Sequence, residues 1–199
     1  MITAAREAVD LLIQAAGSWQ FDDTLNGLRD REWMALRFLA RANRFSRTPS
    51  ALAKFVGTTR ATASETVKRL EGKGYLQRRS ADQDKRSVIL DVTPRGEKLL
   101  SSDPITQLVH AIATLELGAN NFRDLLRHIL EQLDARRDRH HADSCTKCIF
   151  LTEASKPARR RPEYTCRYFR ADLSETEIHL LCFNFERRKS GALQQSPLI

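Results

Sequence analysis

Apolar residues recur at helical spacing in short, sharply punctuated segments across the first half of the chain. Trp33, Leu36, Leu39 and Ala40 mark one face of a helix that begins at Arg29 or Asp30. Thr48 followed by Pro49 reads as an N-cap with proline at the first helical position. Leu52 and Val56 give that helix an apolar face, and Gly57 stops it. Thr59 then caps a second helix on which Ala63, Val67 and Leu70 recur at i, i+4 and i+7. Gly74 closes it, as glycine in the left-handed conformation commonly does. Between Gln77 and Val92 the pattern changes to strand-like residues around a polar tip, Ser80 to Arg86, with Val88, Leu90 and Val92 on one face of the return strand. Helix, glycine turn, helix and basic hairpin, in that order, predict a winged helix-turn-helix.

The outward face of the second helix bears on whether that fold reads DNA. With Val67 inward, a rotation of about 100° per residue places Ala61, Thr62, Glu65, Lys68 and Arg69 outward. A recognition helix needs small or hydrogen-bonding residues near its start, where Thr59 and Arg60 also lie, and cations further on for phosphates. Ala61 suits a thymine methyl, Thr62 a base edge or a phosphate, and Glu65 a cytosine amine. An ordinary solvated face carries a similar mixture, so the hairpin matters. Arg78, Arg79, Lys85 and Arg86 concentrate positive charge there, interleaved with Asp82 and Asp84. A projecting arginine suits the narrow minor groove beside such a footprint. Asp84 is expected to orient Arg86 through a local ion pair. Arg78, Lys68, Arg69 and Lys85 are expected to supply phosphate electrostatics.

The run Arg31-Glu32-Trp33 through Leu36, the segment ALAKFVGTTRATASETVKRLEGKGYLQRR, the triplet Asp84-Lys85-Arg86 and the helix start Thr93-Pro94-Arg95-Gly96 resemble the MarR family of bacterial regulators. The resemblance covers roughly residues 5 to 137. It implies an obligate homodimer on a pseudo-palindromic operator of double-stranded DNA, usually acting as a repressor and relieved by a small ligand or an oxidant. By that likeness Ala61, Thr62 and Glu65 match the base-facing positions and Arg86 the wing arginine. The family more often has a serine-like residue where Ala61 stands.

The flanking segments predict a dimer frame. Residues 3 to 16 form a helix with Ala8, Leu11, Leu12 and Ala15 along a stripe. Pro94 to Leu100 starts a helix that Ser101-Ser102-Asp103-Pro104 interrupts. Ile105 to Leu115 and Asn121 to about Arg137 follow, the latter with a broad face of Phe122, Leu125, Leu126, Ile129 and Leu133. A symmetric operator requires a symmetric protein, which assigns that face to a subunit interface. His110 and His128 read as packed or surface histidines. A net charge of +8 favours a polyanionic partner, and 41% hydrophobic residues suffice for a core. No apolar run approaches the ~20 residues of a membrane span. The amphipathic, partly acidic N-terminus resembles neither a secretion signal nor a transit peptide, so a cytoplasmic location is expected.

All four cysteines fall in the last third: Cys145 and Cys148 as C-x-x-C, then Cys166 after 17 residues and Cys182 after 15 more. In a cytosolic regulator this pattern reads as a four-thiolate metal site rather than a disulfide framework. The ligands would close a small module that folds poorly unaided. Phe150, Tyr164, Tyr168, Phe169, Phe183 and Phe185 cluster with them and are expected to wall the site from water. Ser174-x-x-Glu177 reads as a capping box starting a short helix with Ile178, Leu181 and Cys182 on one side. The arm holding Lys156, Pro157 and Arg159 to Arg161 reads as a solvated loop. Zn²⁺ and an iron–sulfur cluster suit the ligand type equally. Structural zinc is the commoner occupant of a module this size, the first pair lacks the glycine of a zinc knuckle, and metal-free redox thiols remain a third reading. His140 and His141 lie nearby as substitute ligands.

The expected fold class is therefore mainly α with a small β-hairpin wing (α+β): a winged helix-turn-helix, flanking dimerisation helices and a small four-cysteine metal module. The expected division is 1–28 for an N-terminal dimerisation helix, 29–100 for the DNA-binding domain, 101–139 for C-terminal dimerisation helices and 140–199 for the cysteine module and tail. Two functions compete. One is a repressor answering a small-molecule effector bound between the wing domain and the dimer helices, with a structural metal. The other is an iron–sulfur or redox sensor whose cysteine cluster is the effector site. An enzyme is not expected: there is no phosphate-binding glycine loop, no nucleophile elbow and no paired acid–base spacing.

Overall fold

The computed structural model describes residues 2–17, 27–80, 88–137, 141–154 and 163–188. Among these residues, seven helices lead into a small-stranded C-terminal module. Helix α1 spans Ile2–Gly17, α2 Asp30–Arg41, α3 Pro49–Val56 and α4 Arg60–Gly72. Strands β1 (Leu76–Ser80) and β2 (Val88–Val92) form an antiparallel hairpin with Leu76 opposite Val92. Helices α5 (Pro94–Leu100), α6 (Thr106–Ala113) and α7 (Ala119–Arg137) follow.

The boundaries are those the residues dictate. Thr48 accepts the Ala51 N–H and Pro49 opens α3, while Gly57 ends it at φ 70°. Thr59 accepts the Thr62 N–H at the start of α4, and Gly74, at φ 75°, turns the chain into the wing. The expected inward stripe Ala63, Val67 and Leu70 is buried, with Thr66 beside it. In α2, Trp33, Leu36 and Leu39 are buried as expected, and Ala35 and Phe38 join them. Ala40 is only half-buried.

Two charged contacts fasten this core from within. Glu32, almost fully buried, takes Lys73 Nζ at 3.0 Å on each carboxylate oxygen and the Arg29 N–H at 2.9 Å. It thereby ties the start of α2 to the end of α4. Arg37 holds Asp103 through two bonds of 2.7 and 2.5 Å, and Asp103 also accepts the Ile105 N–H. The expected Ser101–Pro104 interruption is thus a pinned corner.

The outer helices are different. Val9, Leu11 and Ile13 on α1, Val109 on α6 and Leu125, Ile129 and Leu133 on α7 are all exposed in the single chain.

The C-terminal module has seven short pieces among the described residues. Strand β3 (Asp143–Ser144) pairs with β7 (Leu181–Cys182), and β4 (Leu151–Glu153), β5 (Tyr164–Cys166) and β6 (Ala171–Leu173) form an antiparallel sheet. Single 3₁₀ turns cover Cys145–Lys147 and Glu177–His179. The Ser174–Glu177 box forms reciprocally, at 3.0 and 3.3 Å. It starts only that one turn, because Leu181 and Cys182 are extended against Ser144 and Asp143. The expected helix is therefore replaced by a turn and a strand. The arm residues Lys156, Pro157 and Arg159 to Arg161 lie outside the described residues.

Gly96 is where the Thr-Pro-Arg-Gly signature has a packing cause. A Cβ there would collide with the Tyr75 carbonyl and stand 2.8 Å from Val92 Cγ1, so α5 rests directly on the base of the wing. Gly96→Ala is expected to destabilise the protein by about 1–3 kcal/mol, as overpacking does. A thermal melt would show it as a lowered midpoint despite alanine's better helix propensity.

Candidate functional site

The outer face of α4 presents Arg60, Ala61, Glu65, Lys68 and Arg69 to solvent, with Thr62 half-buried. Thr59 and Thr62 face each other across the cap, hydroxyl to hydroxyl at 3.0 Å. Arg60, Lys68 and Arg69 make no ion pair among the described residues. The base of the wing is occupied otherwise. Arg78 pairs with Glu71 at 3.0 Å, and Arg79 with Asp91 at 2.6 Å. Asp91 also takes Arg47 at 3.4 Å. An exposed pair such as Arg78–Glu71 is worth about 0–1 kcal/mol, so a phosphate can exchange for it. Lys85, Arg86 and the expected Asp84–Arg86 pair lie outside the described residues. The Arg78–Glu71 pair thus sets the base of the wing against the end of α4.

The four cysteines are brought together from three separate elements. The Cys145–Lys147 turn, closed by the Cys148 N–H on the Cys145 carbonyl at 2.8 Å, sets the first two side by side. Cys166 ends β5, and Cys182 lies in β7. All are reduced, at 8% exposure or less. They line one cavity of about 10 Å³ together with Phe45, Phe150, Tyr168, Phe169 and Leu173. Cys145 and Cys182 are in hydrogen-bond contact. That bond holds the Cys182 thiol down at about 6, helped by Asn43, the Asn184 N–H and Ser46. The same bond, with burial and the neighbouring thiols, pushes Cys145 strongly up. As the side chains stand, no three His, Cys, Asp or Glu among the described residues are closed around a common centre at metal-ligand spacing.

The aromatic wall differs in part from expectation. Phe150, Tyr168 and Phe169 line the cavity, Tyr164 packs on the module's core, and Phe185 is inside that core. Phe183 packs instead on the winged-helix core, under Lys54 at 5.3 Å. Its place at the thiols is taken by Phe45, stacked on Phe169 at 4.0 Å between ring centres.

A family model described as MarR family matches residues 26–87, from ahead of α2 to the wing. The transcriptional repressor MprA of Escherichia coli (strain K12) is 29% identical over 123 residues, 59% of this chain and 66% of MprA. Residues 26–87 are thus similar to the MarR family. The HTH-type transcriptional regulator YdcH of Bacillus subtilis (strain 168) is 35% identical over 86 residues, 42% of this chain and 58% of YdcH. The chain thus matches less than two thirds of the length of either curated relative. Two solved structures share the fold. The regulator BldR from Sulfolobus solfataricus has a TM-score of 0.50 at 20% identity, covering 67% of this chain and 94% of BldR. A MarR/EmrR family regulator from Acinetobacter sp. ADP1 has 0.50 at 22%, covering 67% and 96%. The curated relatives are described as transcriptional regulators. No helix of the described residues is long and apolar enough to cross a membrane.

Around the winged-helix core, several contacts leave little sign in the sequence. Asn43 and Ser46, at 1% exposure, reach Cys182 from the α2–α3 turn. In ANRFSR they read as exposed loop residues, and only Phe45, an aromatic in a polar stretch, hints at burial. His141 is not a thiol-site ligand but a link to α7. Asp143, 3.9 Å from Nε2 and so coulombic rather than hydrogen-bonded, and Asp134, 2.6 Å from Nδ1, raise its pKa against partial burial. Burial pushes Asp143 up, but His141, Arg127 and the Ser144 N–H bring it down to about 2. His140 lies outside the described residues. His110 and His128 are exposed, the latter 2.9 Å from Gln132.

A raised histidine favours the fold while protonated. Its contribution is complete below the ~6.5 of an unfolded histidine and is lost as pH rises through the higher folded value. Melting midpoints of the wild type minus those of His141→Gln should therefore shrink as pH rises above ~6.5. A constant difference across that range would remove His141's charge from the account.

Proposed function

We propose that the chain is a homodimeric repressor that lays α4 in the major groove of a pseudo-palindromic operator and carries one zinc ion on Cys145, Cys148, Cys166 and Cys182. The observation that carries the DNA reading is the exposed α4 face, with Ala61, Thr62 and Glu65 near its start and Arg60, Lys68 and Arg69 around them, without ion pairs among the described residues. Ala61, Thr62 and Glu65 discriminate bases; the cations, with Arg78 and Lys85, meet phosphates, and Arg86 enters the minor groove. The exposed apolar faces of α1, α6 and α7 support a dimer, since stripes of this kind on a monomer mark an interface. Two copies would set their α4 helices about 34 Å apart along the DNA. MprA's description as a repressor supports the sign of regulation.

Zinc is favoured over a cluster by size. The cavity between the thiols is about 10 Å³, room for one water-sized body, and four thiolates crowded there need a cation to share. Zinc would be held by all four sulfurs and would close a module with a small apolar core. An oxidant that attacks those thiols, or a small ligand, would be the effector.

On a duplex selected from a random-sequence pool, Lys68→Ala and Arg69→Ala should weaken binding evenly and each reduce the salt slope by about 1. Glu65→Ala and Thr62→Ala should relax base preference by about 1–3 kcal/mol at single positions. Unchanged binding in all four would overturn the α4 reading. Protein purified without oxygen should be colourless with one zinc per chain. Stoichiometric iron and sulfide with broad visible absorption would replace zinc by a cluster, and metal-free protein would end the metal reading.

A further inference from the structure

The thiol module is built into the DNA-reading unit at one place, the turn between α2 and α3. Ala42 bridges to Leu181 in parallel, and the Asn43 N–H donates to the Leu181 carbonyl at 2.8 Å. The Phe183 N–H donates to Ser46 Oγ at 2.8 Å. Between these bonds, Arg44 grips the module's outer edge through Glu177 at 2.7 Å and the Asp172 carbonyl at 2.5 Å. Phe45 enters the module's core against Phe169. Cys182, a ligand in the reading above, lies in the very segment these bonds hold.

The other side of the same turn holds the parts that face DNA. The Thr48 N–H, at the cap of α3, donates to the Ser46 carbonyl at 2.8 Å, and the Leu90 N–H of the wing donates to the Arg47 carbonyl at 2.8 Å. Arg47 folds back on the Ala42 carbonyl at 3.0 Å. Helix α3 packs in turn on α4 through the shared core. A displacement of the turn is therefore felt by α3, α4 and β2 together.

We propose that occupancy of the thiol site regulates DNA affinity through residues Ala42 to Ser46: the metal-loaded module clamps the turn in its DNA-binding form, and loss of the metal releases it. The proposal rests on the metal reading. It differs from a route through subunit spacing, because the strand bearing the fourth thiol is bonded to the helix-turn-helix itself. The bistable element is the module, ordered when its ligands are closed and loosened when they are not. By linkage, DNA must also tighten metal binding by the factor by which metal tightens DNA binding.

The test uses the full chain, Zn²⁺ as probe and a fluorescent duplex selected by the zinc-loaded protein. Anisotropy titrations with and without a chelator should differ by about tenfold or more, within the range of ordinary coupling. Zinc affinity should rise by the same factor when the duplex is present. Phe45→Ala should still bind one zinc but lose most of the difference. Arg44→Glu, on an exposed side chain that meets Glu177, should reduce it and covers the case in which Phe45→Ala does not fold. Stoichiometric zinc with no change in DNA affinity on chelation would overturn the coupling while leaving the metal reading intact. Wild-type protein that takes up no zinc would overturn both. Retention of the full difference in a folded Phe45→Ala and in Arg44→Glu would overturn the assigned route.

Discussion

Asn43 and Ser46 are polar, nearly inaccessible and set in a turn, where backbone groups have no ladder to satisfy them. Burying such groups without partners costs several times what a satisfied hydrogen bond contributes. The turn solves this with bonds of its own, Asn43 Oδ1 taking the Ser46 N–H at 3.0 Å, and with bonds to Leu181 and Phe183, the latter 137 residues from Ser46 in sequence. The dependence is mutual, because Leu181 and Phe183 would otherwise lose a donor and an acceptor partner. Apolar packing follows the same exchange: Phe45 is given to the module's core, and Leu181 and Phe183 to the winged helix. Neither unit is complete at this seam without the other.

A second attachment runs along α7. Arg127 reaches Asp143 at 2.6 Å, Arg187 meets Glu131, and His141 sits on Asp134. The module thus touches both the helix-turn-helix and a helix that leaves Leu125, Ile129 and Leu133 uncovered. In water, helicity without tertiary burial is marginal even for lengths near that of α1, 16 residues. The outer helices bury little of their apolar stripes among the described residues, whereas α2 is secured from within by Glu32, Arg37 and five buried apolar side chains.

What could be read from residues alone was what is local. Thr48-Pro49, Gly57, Thr59 and Gly74 act within four positions of themselves, and each holds its predicted place. The α4 face was legible because helical periodicity fixes orientation without reference to the rest of the chain. The convergence of Cys145, Cys148, Cys166 and Cys182 was legible only as chemistry. The fold around them depends on pairings between distant short strands, which leave little trace in sequence when strands are two or three residues long. The Ser174–Glu177 box illustrates the limit: the local signal is obeyed for one turn, and then Asp143 and Ser144 claim Cys182 and Leu181. Phe183 was expected to wall the thiols with the other aromatics of this stretch, but it lies just past β7 and packs on the winged-helix core. Cys182 turns to the module and Phe183 to α3.

The placement of charge follows the same division between holding and reading. Asp91 gathers Arg47 from the turn and Arg79 from β1 onto β2, so two cations at the wing's base are spent on fixing the hairpin to the α2–α3 turn. Arg60, Lys68 and Arg69 on α4 are left unpaired among the described residues, and Arg78 is held only by a weak exposed pair. Exposed cations thus stand on the outer face of α4, while those beneath it hold the wing to the α2–α3 turn. Arg47 carries both tasks at once: its guanidinium meets Asp91 and the Ala42 carbonyl, and its own carbonyl takes the Leu90 N–H. The residue that fixes the wing is therefore the one that follows Ser46, the last point at which the thiol module touches the turn.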